Sequence, residues 1–363
     1  MKINNVTSKI NHNILWPNWL DSLCTLFNGR LIRAFFLLIT LISLQSCLEE
    51  SVEVTGCNTK TYLHKEPISL QFQVAISGIN LIATFVKEDS YYNQDSTASS
   101  VIMAAPTASF LKNHTADTAV FQGRQVLTLQ PKTGASGHHI LYIHGGGWGT
   151  NIGPENYDDL YAQVMDRTGA TITLPDYGLA PYYSYREAYS LFQVVYDDLV
   201  ARVGAENIII MGESAGGNLS MGFTQKLKIE NRPLPAQTIL LFPALDATFS
   251  NPAIDKLQDP ILRVKLAREA VTVWADGTDL SFYQISPING PLEGLPPISV
   301  FIGGRDITSP DCLKLRDMMN AKCQPLNFYE YPQMIHGWMS ALPNAPESKK
   351  TWEQIANLIN NGQ

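Results

Sequence analysis

This sequence carries little charge. Only 16% of its 363 residues are Asp, Glu, Lys or Arg, against 45% hydrophobic. A chain so apolar can fill a large core and lies far from the composition of disorder. Basic residues are the scarcer sign, 26 against 33 acidic for a net charge of −7, and no Lys/Arg cluster could track a phosphate backbone. Nucleic acid is therefore not an expected partner. No fixed-period repeat or low-complexity tract is present. Nucleotide motifs are missing too: a G-x-G-x-x-G pattern begun at Gly145 or Gly147 meets Thr150 or Ile152 where its last glycine belongs, and no G-x-x-x-x-G-K-[ST] occurs. His138 and His139 are adjacent, so a strand would turn them to opposite faces, and no H-x-x-x-H occurs. Neither a metal nor a cofactor is expected.

One segment departs from the average. Behind Arg30 and Arg33 runs Ala34 to Leu44, an apolar stretch well short of the ~20 residues that span a bilayer and matching the h-region of an export signal. It closes on Leu44-Gln45-Ser46-Cys47, which resembles the lipobox of bacterial lipoproteins, whose Cys is lipidated and becomes the mature N-terminus. Gln45 and the long stretch before Arg30 depart from that pattern; a start nearer Arg30 or a non-cleaved signal anchor are the alternatives. The expectation is an exported lipoprotein of the bacterial cell envelope, anchored to the membrane through Cys47. Five cysteines, less Cys24 in the leader and Cys47 as the lipid site, leave Cys57, Cys312 and Cys323, so at most one disulfide can form. Cys312 and Cys323 bracket a helical pattern. Eleven residues of helix would separate their Cα atoms by about 16 Å, so they are expected not to pair with each other.

The organisation expected is a leader over residues 1–46, a linker and N-terminal cap element over 47–117, and a catalytic domain over 118–363 with a cap insertion at about 247–297. In the N-terminal part the pattern is weak, though Leu70, Val74, Leu81 and Phe85 recur at helical spacing. Val120 to Gln130 reads as an early strand pair with a turn. Then short β-forming runs alternate with helix-length segments: Ile140–Ile143, Thr171–Leu174, Ile208–Met211, Ile239–Phe242, Ile298–Ile302 and Leu326–Tyr331. Near-continuous apolar strands between amphipathic helices predict an α/β fold, a mostly parallel sheet flanked by helices. The interval from Asp246 to Pro297 is too long for a simple crossover; it includes a helical pattern over Pro260 to Trp274.

In an open parallel sheet the ligand crevice lies beyond the carboxyl ends of the strands. There this sequence places His144-Gly-Gly-Gly147, Asp176, Gly212-Glu-Ser-Ala-Gly216, Asp246, Asp306 and His336. Gly212 to Gly216 directly follows a strand and precedes a helix, a turn that presents the Ser214 hydroxyl outward as a nucleophile. A serine hydroxyl needs a base, and the base needs an orienting carboxylate. Of seven histidines only His336 follows Ser214, as the chain order Ser, acid, His requires. Asp306 follows the penultimate strand directly; Asp311 starts the next helix, Asp246 belongs to an earlier strand and Glu330 lies within one. The oxyanion of acyl transfer needs preorganised donors. Backbone N–H groups of Gly145, Gly146 and Gly147, with that of Ala215, are the candidates.

These residues resemble the bacterial hormone-sensitive-lipase-like carboxylesterases of the α/β-hydrolase fold over about residues 138 to 357. Asp176-Tyr177-Gly178-Leu179-Ala180-Pro181 is similar to the family's Asp-Tyr-Arg-Leu-Ala-Pro segment, and Ser286-Pro287, Asp306 and His336-Gly337 fall at corresponding features. The resemblance implies Ser214 as nucleophile, His336 as base, Asp306 as orienting acid, and the N–H groups of Gly146, Gly147 and Ala215 as the oxyanion hole. It also implies a cap built from the N-terminal segment and the Asp246 to Pro297 insertion. Two departures stand out: Gly178 replaces the usual Arg and Tyr182 the usual acidic residue, so a salt bridge bracing that loop is missing. Tyr182, Tyr183, Tyr185 and Tyr189 crowd the same stretch, as packing or as pocket lining. The function expected is a serine carboxylic ester hydrolase acting on small to medium acyl esters; an acyltransferase using the same acyl-enzyme and a decayed lipid-anchored binding protein are the alternatives. The partner is a small-molecule ester.

Overall fold

A computed structural model describes residues 51–54, 56–83 and 102–362. The leader, Cys47 and Phe85 lie outside the described residues. Among those described, no helix is long and apolar enough to cross a membrane.

One ten-stranded sheet organises the chain. Its strands are β1 (Ser51–Val54), β2 (Thr59–Leu63), β3 (His114–Phe121), β4 (Arg124–Pro131), β5 (His139–Ile143), β6 (Thr171–Pro175), β7 (Ile208–Glu213), β8 (Gln237–Leu241), β9 (Ile298–Gly303) and β10 (Leu326–Tyr331), in the spatial order β1-β2-β10-β9-β8-β7-β5-β6-β4-β3. The run from β2 to β6 is parallel; β1 at one edge and β3 and β4 at the other are antiparallel. The expected strands are all present: β5, β6, β7 and β9 run a residue or two longer, β10 has the expected bounds, and β8 starts at Gln237 and ends before Phe242. The hairpin β3–β4 begins earlier than the sequence pattern showed, at His114.

The longer helices among the described residues are α1 (Leu70–Ala83), α2 (Ala162–Thr168), α3 (Tyr185–Val203), α4 (Ala215–Ile229), α5 (Val264–Trp274), α6 (Ser309–Ala321) and α7 (Pro346–Asn361). Alternate residues of one strand enter different cores, the period of two that both-face burial requires. Ile209 and Met211 of β7 pack with Trp352 and Ile355 of α7, whereas Ile208 and Ile210 pack with Leu219 and Phe223 of α4 and Leu191 and Phe192 of α3. Burying one such aliphatic side chain is worth roughly 1.5–3 kcal/mol, so the central strands fix the scaffold on which the loops sit.

Two expectations for the N-terminal part are corrected. The strand pair β1–β2 was not foreseen, because Thr59-Lys60-Thr61-Tyr62-Leu63 contains no apolar run. It joins the sheet through an aromatic ladder in which the rings of Phe301, Tyr329 and Tyr62 stack at 4.2 and 4.4 Å, and through a disulfide between Cys57 and Cys323. Cys312 is a buried free thiol in α6, so it does not pair with Cys323, as expected. Helix α1 forms, yet it faces the other way: Phe72 and Ile76 are buried, while Leu70 and Leu81 are about half exposed. Gln73, Ser77 and Asn80 share one face at i, i+4 and i+7 spacing, and Phe72, Ile76 and Ile79 on another face pack inward.

The insertion after β8 carries a short turn at Ile254–Lys256 and α5, whose helix starts at Val264 rather than at Pro260. Tyr185 and Tyr189, buried in α3, tie to it: the Tyr189 hydroxyl donates to the Gln284 carbonyl and the Tyr185 hydroxyl meets Thr278 Oγ1.

Candidate active site

Strand β7 enters α4 through Ser214, whose φ of 54° and ψ of −119° lie outside the ordinary regions for an L-residue. The neighbouring glycines permit the turn. A Cβ on Gly216 would lie 2.0 Å from the Ile143 carbonyl oxygen, and one on Gly212 2.5 Å from that of Gly216. The Ser214 N–H donates to the Leu241 carbonyl at 2.9 Å, and Asn218 anchors α4 by donating to the Ala244 and Ile285 carbonyls. The strain is held by its surroundings, and the half-buried Ser214 hydroxyl stands at the rim.

There it meets His336. Ser214 Oγ and His336 Nε2 are 2.8 Å apart, and His336 Nδ1 is 2.8 Å from Asp306 Oδ2. Asp306 is fully buried, and its other oxygen accepts the Thr308 N–H at 2.8 Å, so the carboxylate cannot rotate away. With Asp306 accepting, Nδ1 carries the proton and Nε2 faces the serine as an acceptor. Burial alone would push the His336 pKa down; the Asp306 charge and hydrogen bond, helped by Asp259 and Glu213, outweigh it and hold the pKa above its ordinary value. The imidazole is a stronger base than a free histidine, in reach of a hydroxyl. Phe242 meets the ring edge-on at 5.1 Å and limits its tilt.

The glycine loop after β5 lies alongside. His144 is buried and stays neutral, burial holding its pKa down at about 4. Its Nδ1 is 2.7 Å from the Gly145 carbonyl, its own carbonyl accepts the Tyr177 hydroxyl at 2.8 Å, and the two rings stack. Gly146 (φ 100°) and Gly147 (φ 58°) adopt backbone that favours glycine. Of the donors expected from sequence, Gly145 is spent elsewhere: its N–H donates to Glu213 Oε1 at 2.7 Å. Gly146, Gly147 and Ala215 are the other donors expected from sequence, and Ala215, first in α4, has no intrahelical acceptor for its N–H. Glu213 is itself buried, which raises its pKa to about 7.

The other rim carboxylates are engaged away from the serine. Asp246 accepts from the Thr248 backbone and hydroxyl, and Asp311 from Asn251. Asp176 accepts from Asn151 and pairs with Arg124 at 3.3 Å. That pair answers the missing Arg at Gly178. The Tyr183 ring occupies the space a Gly178 side chain would need, a Cβ there lying 2.3 Å from it. Arg124 reaches in from β4, stacking over Tyr183 and donating to the Asp176 carbonyl, so the loop is braced after all. Tyr182 and Tyr183 remain partly exposed.

Sequence reasoning missed Asp259, in the insertion after β8. Its Oδ2 accepts the His336 backbone N–H at 3.1 Å. One donor atom each from Asp259, Asp306 and His336 lie within 4.8 Å of one another. These atoms are engaged with each other and with backbone N–H groups, the arrangement of a hydrogen-bond network rather than of an ion cage. Asp-Pro ahead of a helical pattern signals only a turn, so no local cue identified it.

A half-buried hydroxyl on a strained backbone turn, a base oriented by a buried carboxylate and backbone N–H groups beside them form a constellation suited to attack on a carbonyl. Residues 140–340 match the sequence profile of a family of alpha/beta hydrolase fold. An esterase of Acinetobacter venetianus is 28% identical over 60% of this chain and 73% of its own length. A Staphylococcus aureus protein of solved structure is 31% identical, with a TM-score of 0.62 over 80% of this chain and 93% of that one. A hormone-sensitive lipase from a metagenome library, 23% identical, superposes with a TM-score of 0.69 over 79% of this chain and 98% of that one.

Proposed function

Because the chain belongs to the alpha/beta hydrolase family and is a carboxylic ester hydrolase, we propose that it works by serine acyl transfer, with Ser214 as nucleophile, His336 as general base and Asp306 as the acid that orients it. The unbroken relay from Ser214 Oγ through the imidazole to Asp306, two contacts of 2.8 Å, carries this reading. His336 Nε2 takes the serine proton as Oγ attacks the ester carbonyl. The tetrahedral oxyanion settles on the N–H groups of Gly147, Ala215 and Gly146. Collapse expels the alcohol, which leaves with the proton from Nε2. Water then attacks the acyl-enzyme with His336 again as base, releasing the acid and restoring Ser214. General base catalysis is worth about 10²–10⁴ and one oxyanion donor about 10²–10³ in rate.

We further propose that the protein is exported and lipid-anchored through Cys47. The apolar stretch ending at Cys47 supports this, as does the Cys57–Cys323 pair, a linkage that persists in oxidising compartments. Hydrolysis of p-nitrophenyl acetate by the wild type and Ser214→Ala tests the mechanism. Turnover lost in a variant that keeps its fold supports it; full activity overturns it.

A further inference from the structure

We propose that Asp259 is a positioning residue for His336: a cap-borne second carboxylate that holds the backbone of the base and faces the charge it takes up. This rests on the serine-hydrolase reading above.

Asp259 lies between the turn at Ile254–Lys256 and α5. Its Oδ1 accepts the N–H groups of Ile261 and Leu262, at 2.8 and 3.2 Å. The carboxylate is thereby oriented by the insertion's own backbone. Its Oδ2 then accepts the His336 N–H. One side chain bridges the insertion and the loop that carries the base. An aspartate that merely closed a turn would be satisfied by the first pair of bonds and would leave its second oxygen to water.

The charges point the same way. Asp259, Asp306 and the imidazole converge within 4.8 Å. While His336 is neutral, two carboxylates face each other across a site largely closed to solvent, and burial together with the Asp306 charge lifts the Asp259 pKa to about 6. Once His336 holds the serine proton, a cation lies close to both carboxylates and its attraction offsets their repulsion. The arrangement suits the imidazolium of the transition state better than the resting ring, the condition for an interaction to raise rate rather than binding alone. The ionisable groups facing this cluster are Asp306 after β9, His336 after β10 and, acting on the imidazole, Glu213 at the end of β7. Because Asp259 is fixed to the insertion's backbone, a displacement of that segment would also remove charge from the base.

The test compares full-length wild type, Asp259→Asn and Asp259→Glu by the pH dependence of kcat/KM on p-nitrophenyl acetate and by the rate of fluorophosphonate labelling at Ser214. Asp259→Asn should move the acid limb of both profiles down by about one pH unit, since His336 loses a facing negative charge. Its plateau kcat should fall about 10-fold with KM nearly unchanged. Asp259→Glu should restore the limb in part. If Asp259→Asn keeps the wild-type limb and plateau and loses only thermal stability, Asp259 serves the turn over Ile261 and Leu262 alone and the proposal fails. That failure leaves Ser214 labelled in the wild type, whereas a wild type neither labelled nor active overturns the serine-hydrolase reading itself.

Discussion

Replacing Gly146 by Ala tests the oxyanion loop without touching a side chain of the relay. At Gly146 φ is 100°, and a Cβ would lie 2.1 Å from the Thr150 carbonyl oxygen, far inside contact distance. That oxygen is backbone, so the loop itself must shift by about 1 Å to relieve the clash. Strain of this kind costs about 1–3 kcal/mol. The kinetic cost is larger, because donors displaced by that much no longer match the oxyanion: a loss of about 10²–10³ in kcat is expected, with KM changed little. Gly123→Ala is the control. It sits at φ 76° in the β3–β4 turn with nothing within 4 Å of the added Cβ, so it carries backbone strain but no clash. The assay is kcat and KM on p-nitrophenyl acetate beside the Tm of each variant. If Gly146→Ala keeps kcat within about threefold of wild type while folded, the loop does not hold the oxyanion.

Asp306→Asn should lose most turnover by about 10⁴-fold, the cost of a wrongly held imidazole tautomer, whereas Asp311→Asn should retain it because Asn251 already occupies that carboxylate; kcat of the two variants decides. Cys57→Ser should lower stability by about 2–4 kcal/mol in denaturant titration while kcat stays at the wild-type value, since the bond pins the start of strand β2 beside β10. Glu213→Gln should separate from wild type with pH. Its folded pKa of about 7 is raised by burial above the ordinary 4.5, so the stability the proton confers is complete below pH 4.5 and lost as pH rises through 7. The variant should match wild type in unfolding free energy at pH 4.5 and exceed it at pH 8, by up to about 3 kcal/mol in denaturant titration; an equal difference at both pH values would show that Glu213 carries no buried charge.

What was legible in the sequence was local. The run Ile208–Met211 followed by Gly212 to Gly216 holds strand, turn and helix within a few residues, and the order Ser214, Asp306, His336 follows from histidine having nowhere else to be. Features set by distant contacts were not legible. Strand β2 pairs with β10, more than 260 residues away, and its own residues are too polar to announce it. The brace at Asp176 comes from Arg124, fifty residues upstream, because Tyr183 fills the place of an arginine at Gly178. Gly145 looks like its neighbouring glycines until Glu213 claims its N–H. Asp259 acquires meaning only when the insertion folds over the His336 loop. In each case the partner, rather than the residue, determines the role.

Whether Ser214 is the residue that becomes acylated is read from the site and rate of fluorophosphonate labelling, by mass spectrometry of the peptide spanning β7 and α4. One adduct per chain is expected, on Ser214, forming faster as pH rises through the pKa of His336 and lost in His336→Ala. Labelling at another residue, or a folded Ser214→Ala that still hydrolyses p-nitrophenyl acetate at the wild-type rate, would contradict acylation at Ser214.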